Sequence, residues 1–402
     1  MGTCLKAREI KRQVELAGYE KTYAHLVENL EAKALKPNDF NIRDLAVAFM
    51  GQEWVNSLNP KSGRMPTPVE LQEATGDVVA SHMFNQITGQ FFYATVKEGY
   101  ELEDLPFTKL VPTKPVTTAA MEKIPGLSEV GDEFSVIGEA DLYPNFGISQ
   151  DWQERGPLQK RGGIVKVTKE AVLEDKTGLL LERCRGIGKW LAWNKEKRII
   201  DAVVDENAGA VAAPLGGHRY HWKGTSYATF QTTTPWVNVK TSNALVDYTD
   251  VEGAWLIGTQ MTDPHTGEPI VFRPKHIIVT MQNAMTAARV MRATNVQTHV
   301  GGYAVTGNLV DMHSPSPLNE FTPGVGIVTS ALLASRTATD TDWWLGDIGK
   351  AVNYFERWGI TPVEASPNNQ EEFERDVVNQ FKVSEMGLAA VVEPRALVES
   401  RA

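Results

Sequence analysis

The sequence predicts an α+β chain, and three stretches carry that expectation. Residues 179–205 hold Leu180, Cys184, Ile187, Leu191, Ile199 and Val203 at near-helical spacing. A helix of that length runs about 40 Å at ~1.5 Å per residue, more than the diameter of a small domain. Phe134, Val136 and Tyr143 on one side, and Ile164, Val165 and Val167 on the other, alternate as strands do around the polar stretch 144–163. Residues 274–292 pass from a strand-like run (KHIIVT) to a helix-like one (MQNAMTAARVMRA).

In chain order, Leu5, Ile10, Val14, Leu16, Tyr19, Tyr23, Leu26, Leu30 and Leu35 predict one helix over 5–35, interrupted by Gly18. Its charged and apolar faces fit a helix packed on its own domain or an arm gripping a neighbouring copy. From Lys36 to Thr118, Pro60, Pro66, Pro68, Pro106, Pro112 and Pro115 leave room only for short segments. Helices are expected at 43–54 and 68–87, the second opened by Thr67-Pro68 and Glu70, and an extended chain at 105–120. A stretch with so little core of its own reads as an arm. Residues 123–168 then read as a long projecting hairpin, because some twenty polar residues rarely sit in a compact loop without a role.

Inside the long helix, Gly186 and Gly188 each cost about 1 kcal/mol relative to Ala, which implies a close backbone approach or a local bend. Beyond it, 209–224 reads as loop and 225–241 as Thr-rich extended chain. A helix follows over 244–261, ending near Asp263-Pro264, and a strand over 325–335. Residues 343–357 are aromatic and extended. Phe373–Val383 and Leu388–Val392 read as a hairpin turning at Ser384–Gly387, with Gly387 free to take a positive φ.

Bulk composition narrows the function. Forty Lys and Arg against fifty Asp and Glu give a net charge of −10, unlike a dedicated nucleic-acid binder, which needs a basic surface. Cys4 and Cys184 form no CxxC and no disulfide framework, as suits a reducing compartment. The opening residues have no apolar leader core, and no run approaches the ~20 apolar residues of a membrane span.

Few residues suggest chemistry. His218 and His221 in HRYH have a spacing that two metal ligands can use, yet glycines and Pro214 surround them and no third ligand is near. Arg185-Gly186-Ile187-Gly188-Lys189 lacks phosphate-loop spacing and falls inside a helix. Asp263, His265 and Glu268 read as a polar turn. GxSxG and HExxH are absent from the sequence. The expectation is a non-enzymatic chain with no cofactor and no metal.

The order of parts resembles the major capsid proteins of tailed bacteriophages, with their Hong Kong 97-type fold. Glu122-Lys123-Ile124-Pro125, Ile137-Gly138-Glu139 and Tyr143-Pro144 are similar to the rising strand of that family's extended loop. Lys160-Arg161-Gly162-Gly163 and Val167-Thr168-Lys169-Glu170-Ala171, with Asp175, are similar to the descending strand that enters the spine helix. Pro274–Val279 resembles the axial domain, and Asp347–Trp358 with Phe373–Pro394 resembles the closing strands.

The resemblance implies an N-terminal helix (1–40), an arm (41–122) and an extended β-hairpin loop (123–168). A peripheral domain with the spine helix (169–242), an axial domain (243–345) and closing strands (346–402) complete it. It further implies self-assembly into hexamers and pentamers of an icosahedral head around double-stranded DNA, without sequence-specific binding or a membrane. Portal and scaffolding or decoration proteins are the expected partners, and the virion, assembled in the host bacterial cytoplasm, the expected location. Glu139, Tyr143, Trp152, Arg155, Lys160 and Arg161 are the candidate inter-subunit contacts. The alternatives are an encapsulin-type nanocompartment shell and a soluble enzyme with its site in 243–345.

Some relatives crosslink themselves through a loop Lys and a closing-strand Asn, assisted by a Glu. Lys160 matches the first position, but aligning on Phe373 and Pro394 places Asp376 and Val383 at the other two. Neither supplies the needed group, so no covalent bond between copies is expected. Boiled, denatured shells should run as monomer on a gel; a covalent ladder would refute this.

Overall fold

A computed structural model describes residues 16–31, 89–101, 105–126, 151–168, 179–205, 220–264, 267–299, 311–321, 324–337, 339–364 and 377–402, with isolated positions such as Ile10 and Glu139. The helices expected at 43–54 and 68–87, and most of the strand expected at 134–143, lie outside these residues.

Along the chain come α1 (Tyr19–Glu31), α2 (89–101), α3 (Pro106–Leu110), β1 (Thr113–Pro115), β2 (Glu122–Pro125), β3 (Trp152–Arg155) and β4 (Gln159–Thr168). The long helix α4 (Leu179–Val204) is followed by β5 (Tyr220–Trp222), β6 (Thr225–Tyr227), β7 (Val239–Lys240) and α5 (Tyr248–Gln260). Then follow β8 (His276–Val279), α6 (Ala284–Met291), β9 (Asn295–His299), β10 (Asp311–Pro315), α7 (Leu318–Phe321) and β11 (Gly326–Val328). The last elements are β12 (Trp343–Gly346), α8 (Ile348–Ala351), β13 (Val352–Glu364), β14 (Val377–Val391) and β15 (Leu397–Ser400). The chain is therefore α+β, and α4 has the span its periodicity predicts.

Two compact units divide the chain, one of residues 1–104, 160–194 and 358–386, the other of 105–159, 195–357 and 387–402. The expected axial segment, 243–345, falls wholly in the second.

In the first unit β14 lies between β13 and β4 in one sheet, and Phe91, Phe92, Val96, Cys184 and Phe381 are buried. Phe92 and Phe381 meet with ring centroids 6.0 Å apart. Of the two glycines inside α4, Gly188 is explained here by α2. A Cβ on Gly188 would overlap the Val96 carbonyl, and one on Gly99 would overlap the Arg185 carbonyl, so the two helices touch backbone to backbone. Arg185 also pairs with Glu98 at 3.0 Å across the same contact. Gly186 has open space around it.

Cys184 is 2% exposed, and burial pushes its thiol up to about 12. It should therefore be unreactive. In a Cys4→Ser background, maleimide at pH 8 is expected to leave the folded chain unlabelled and to label it fully in guanidinium. Rapid labelling of the folded chain would contradict the packing described.

The second unit is built on a five-stranded sheet of order β11-β8-β12-β15-β7. β8 and β15 run antiparallel to β12, while β11 and β7 pair parallel with β8 and β15. Alternation along β12 sends its side chains to two cores. Trp343 and Leu345 join Ile277, Val279 and Val398 beneath α5 and α6. Trp344 turns the other way, into a cluster with Ile278, Leu397, Phe107 and the C-terminal turns of α4. Both indoles are fully buried, each worth about 3 kcal/mol in apolar surface removed from water.

α5 begins at Tyr248, four residues later than the sequence suggests, because Asp247 caps it. The Asp247 side chain accepts from the Thr249 amide, and Asp250 accepts from the Asp247 amide, a reciprocal capping box. Residues 105–120 are not simply extended either. The Glu196 carboxylate, fully buried on α4, accepts from the amides of Phe107 (3.0 Å) and Thr108 (2.8 Å), satisfying the first donors of α3. The extended remainder pairs β1 in parallel with β13, Thr113 opposite Tyr354.

The hairpin expected at 373–392 is a correction. β14 runs unbroken from Val377 to Val391, with Ser384 and Glu385 buried where a turn was expected. Gly387 serves packing rather than turning, since a Cβ there would strike the Tyr354 ring.

On β15, Glu399 is completely buried and accepts two bonds from Arg401, at 3.1 and 2.8 Å. Burial raises its affinity for a proton above the ordinary value of 4.5, Arg401 opposes the rise, and Asp342 and Asp205 add to it. A raised acid contributes stability fully present below its unfolded value and lost as pH rises through the folded one. Melting midpoints should show Glu399→Gln gaining on the parent as pH climbs from about 4.5 toward neutrality. A difference that stays flat with pH would show that Glu399 does not titrate differently in the folded state.

Candidate assembly surfaces

The sequence-predicted contact residues separate into the two units. Trp152 and Arg155 lie on β3 in the second, Lys160 and Arg161 on β4 in the first. β3 arises where a polar loop was expected. The run WQER alternates half-buried and buried residues, pairing with β2 on one side and β5 on the other in a sheet of order β2-β3-β5-β6. A cluster of Tyr220, Trp222, Tyr227 and Trp236, with centroids 5.3 to 6.3 Å apart, anchors that sheet.

Trp152 is half-buried, with the Lys123 ammonium 3.8 Å from its ring centre, which leaves part of the indole on the surface. Arg155 is otherwise engaged. Its side chain is fully buried, donates to Glu122 (2.6 Å) and to the Thr118 carbonyl (3.1 Å), and stacks 5.3 Å from the Phe355 ring centre. In register it faces Glu122 across the β2–β3 ladder, so it is a cross-strand pair of its own chain. The contact with a neighbour expected of Arg155 is corrected accordingly.

Lys160 is exposed, and the half-buried Arg161 donates to the Asn194 side chain of α4 at 3.3 Å. Glu139 is exposed at a turn, whereas Tyr143 lies outside the described residues. Of the crosslinking positions, Val383 is 2% exposed within β14, and Asp376 lies outside the described residues. His218, His265 and Cys4 lie outside them as well; His221 is half-buried on β5. Among the described residues no three His, Cys, Asp or Glu side chains gather as metal ligands, and no helix is long and apolar enough to cross a membrane.

One buried charge cluster escaped the sequence reading. Arg395 is 3% exposed, grips both oxygens of Glu393 at 2.7 and 3.0 Å, and reaches Asp263 at 3.2 Å. Burial opposes its charge, but the two carboxylates more than compensate and hold its pKa above the ordinary arginine value. Asp263 was read as part of a polar turn; the bridge Thr262–Pro269 and Gly267 with φ +76° form that turn, yet Asp263 itself points inward. Spacing alone gave no sign of this, because its partner is 132 positions away.

Beside that cluster lies a cleft of about 320 Å³ lined by Ile270, Phe272, Lys275, Asp347 and Glu393. Lys275 and Asp347 pair at 2.6 Å across it. Its polar lining is charged throughout, with Lys350 and Arg395 beside that pair and no Ser, Thr, Cys or His.

Residues 153–400, well over half the chain and reaching into both units, match the family described as "Phage capsid protein". No curated protein matches the chain. Among solved structures it is similar to the capsid protein of Cyanophage P-SCSP1u, with 13% identity over 75% of this chain and 88% of that one and a TM-score of 0.46. It is similar also to the capsid protein of a native GTA particle, with 9% identity over 76% and 89% and a TM-score of 0.45. The SrpI encapsulin of Synechococcus elongatus gives 12% identity over 75% and 88%, with a TM-score of 0.41.

Proposed function

The chain belongs to the phage capsid protein family, and from that premise we propose that it is the major shell subunit of a tailed-phage head, closing into an icosahedral particle around double-stranded DNA. The family match across 153–400 carries the reading, because it spans the spine helix, the five-stranded sheet and the closing strands together.

On this reading the Hong Kong 97-type division holds, with 123–168 as the extended loop, 169–242 and 346–402 as the peripheral domain and 243–345 as the axial domain. Glu139, Tyr143, Lys160, Arg161 and the outer edge of Trp152 remain the proposed contacts between copies. The net charge of −10 suits a lining that must lie beside DNA without adhering to it. Portal and scaffolding or decoration proteins would complete the head, assembled in the bacterial cytoplasm.

Electron microscopy of the purified protein, with sedimentation for mass, tests this. Closed angular shells of megadalton mass are expected, filled with DNA when recovered from infected cells. Shells that enclose a cargo protein instead would make the chain a nanocompartment subunit. A monomer or dimer that stays small under crowding and with candidate scaffolds would end the shell reading.

A further inference from the structure

We propose that two outward helix faces of the second unit are the halves of one contact between copies: the acidic face of α5 on one chain seats against the basic face of α6 on the next. The proposal rests on the shell-subunit reading and names the residues by which neighbouring copies recognise each other.

Both helices cover the same face of the five-stranded sheet. α5 packs over β12, β15 and β7 through Val251, Ala254 and Gly258, and α6 over β8 and β11 through Ala287 and Val290. Their outward sides are therefore separate patches, since β8 and β15 stand two strands apart, about 10 Å.

The α5 patch exposes Thr249, Glu252, Leu256 and Gln260 at helical spacing, with Val246 and Asp247 just before. The α6 patch exposes Met285, Arg289 and Arg292, with Met281 one turn ahead. Val246 and Leu256 are 64% and 42% exposed, Met281 and Met285 57% and 83%. Each patch thus offers an apolar pair to water.

The charges carried by the two helices themselves are of opposite sign, although the Lys240 stem of β7 lies against α5 at Gly253. Residues 244–261 contain no Lys or Arg, and residues 277–294 contain no Asp or Glu. Glu252, Arg289 and Arg292 have no ion-pair partner among the described residues. Such complementarity steers encounter and rejects the like-charged pairing, α5 on α5 or α6 on α6. Methionines adapt to the partner's relief. Because the two patches differ, the contact is heterologous, and repeating it generates a ring where the rotation closes, not a two-fold dimer.

Two measurements on the full chain test the pairing. Arg289→Glu with Arg292→Glu, and separately Glu252→Arg, are expected to raise the concentration needed for assembly about 10-fold or more, while thermal melting shows each variant folded. All three changes in one chain should restore most of the loss. Reversed variants that assemble at the parental concentration, or a combined variant no better than the separate ones, would overturn the proposal.

The second measurement does not need shells. With Cys4→Ser, Leu256→Cys and Met285→Cys in one chain, oxidation by copper–phenanthroline should produce a covalent ladder. Ladder without shells would leave the pairing standing and remove the shell-subunit reading. Shells without a ladder, or neither, would remove the pairing.

Discussion

Arg395→Met is expected to destabilise the second unit by about 3–5 kcal/mol, since it removes the guanidinium that pairs with the buried Asp263 and with Glu393. Asp263 is only 5% exposed, so water compensates it poorly, whereas Glu393 at 18% keeps some access to solvent. Thermal melting should show a midpoint lower by roughly 6–20 °C, given about 2–4 °C per kcal/mol for a unit of this size. Adding Asp263→Asn to the same chain should recover part of the deficit, because the second change removes the stranded charge. A midpoint within a few degrees of the parent would mean that the cluster is solvated in solution.

The other large effect distinguishes two glycines that sit two residues apart in α4. Helix propensity alone says that any substitution at either other than proline should help, by up to about 1 kcal/mol for Ala. Packing says otherwise at Gly188, where a Cβ would meet the Val96 carbonyl and the Tyr100 amide of α2. Gly188→Val should therefore cost about 2–3 kcal/mol through forced separation of α2 and α4. Gly186→Ala, with nothing within 4 Å, should be neutral or stabilising. Melting and limited proteolysis of the two variants provide the check. Shifts of the same sign in both would dismiss the backbone-to-backbone crossing.

These cases mark where sequence suffices and where it stops. The span of α4, the α5 helix and the passage from β8 into α6 follow from local periodicity, and the structure places each within a few residues of its predicted bounds. The elements that were missed have non-local causes. α3 exists because Glu196 reaches its amide groups from 88 and 89 positions away. WQER becomes a strand because β2 and β5 flank it, and polar composition says nothing of available neighbours. Gly387 looked like a turn residue because glycine has several uses, and only the Tyr354 ring reveals which one applies. The contact residues show the same limit. The resemblance made Arg155 a candidate contact between copies, whereas its cross-strand Glu122 and the Phe355 ring make it a core residue.

The place of β15 in the sheet bears on how a copy of this protein comes to be made. Residues 397–400 form a strand between β12 and β7, so the sheet that carries both cores of the second unit lacks an inner member until they have left the ribosome. At about 5–20 residues per second, β7 waits roughly 8–30 s for the partner made some 160 residues later. A chain cut short by a nonsense codon or a stalled ribosome would keep open edges on β12 and β7, the kind of surface that invites proteolysis or aggregation. Translation thus carries its own proofreading: only a chain synthesised through Ser400 has the strand that buries those edges.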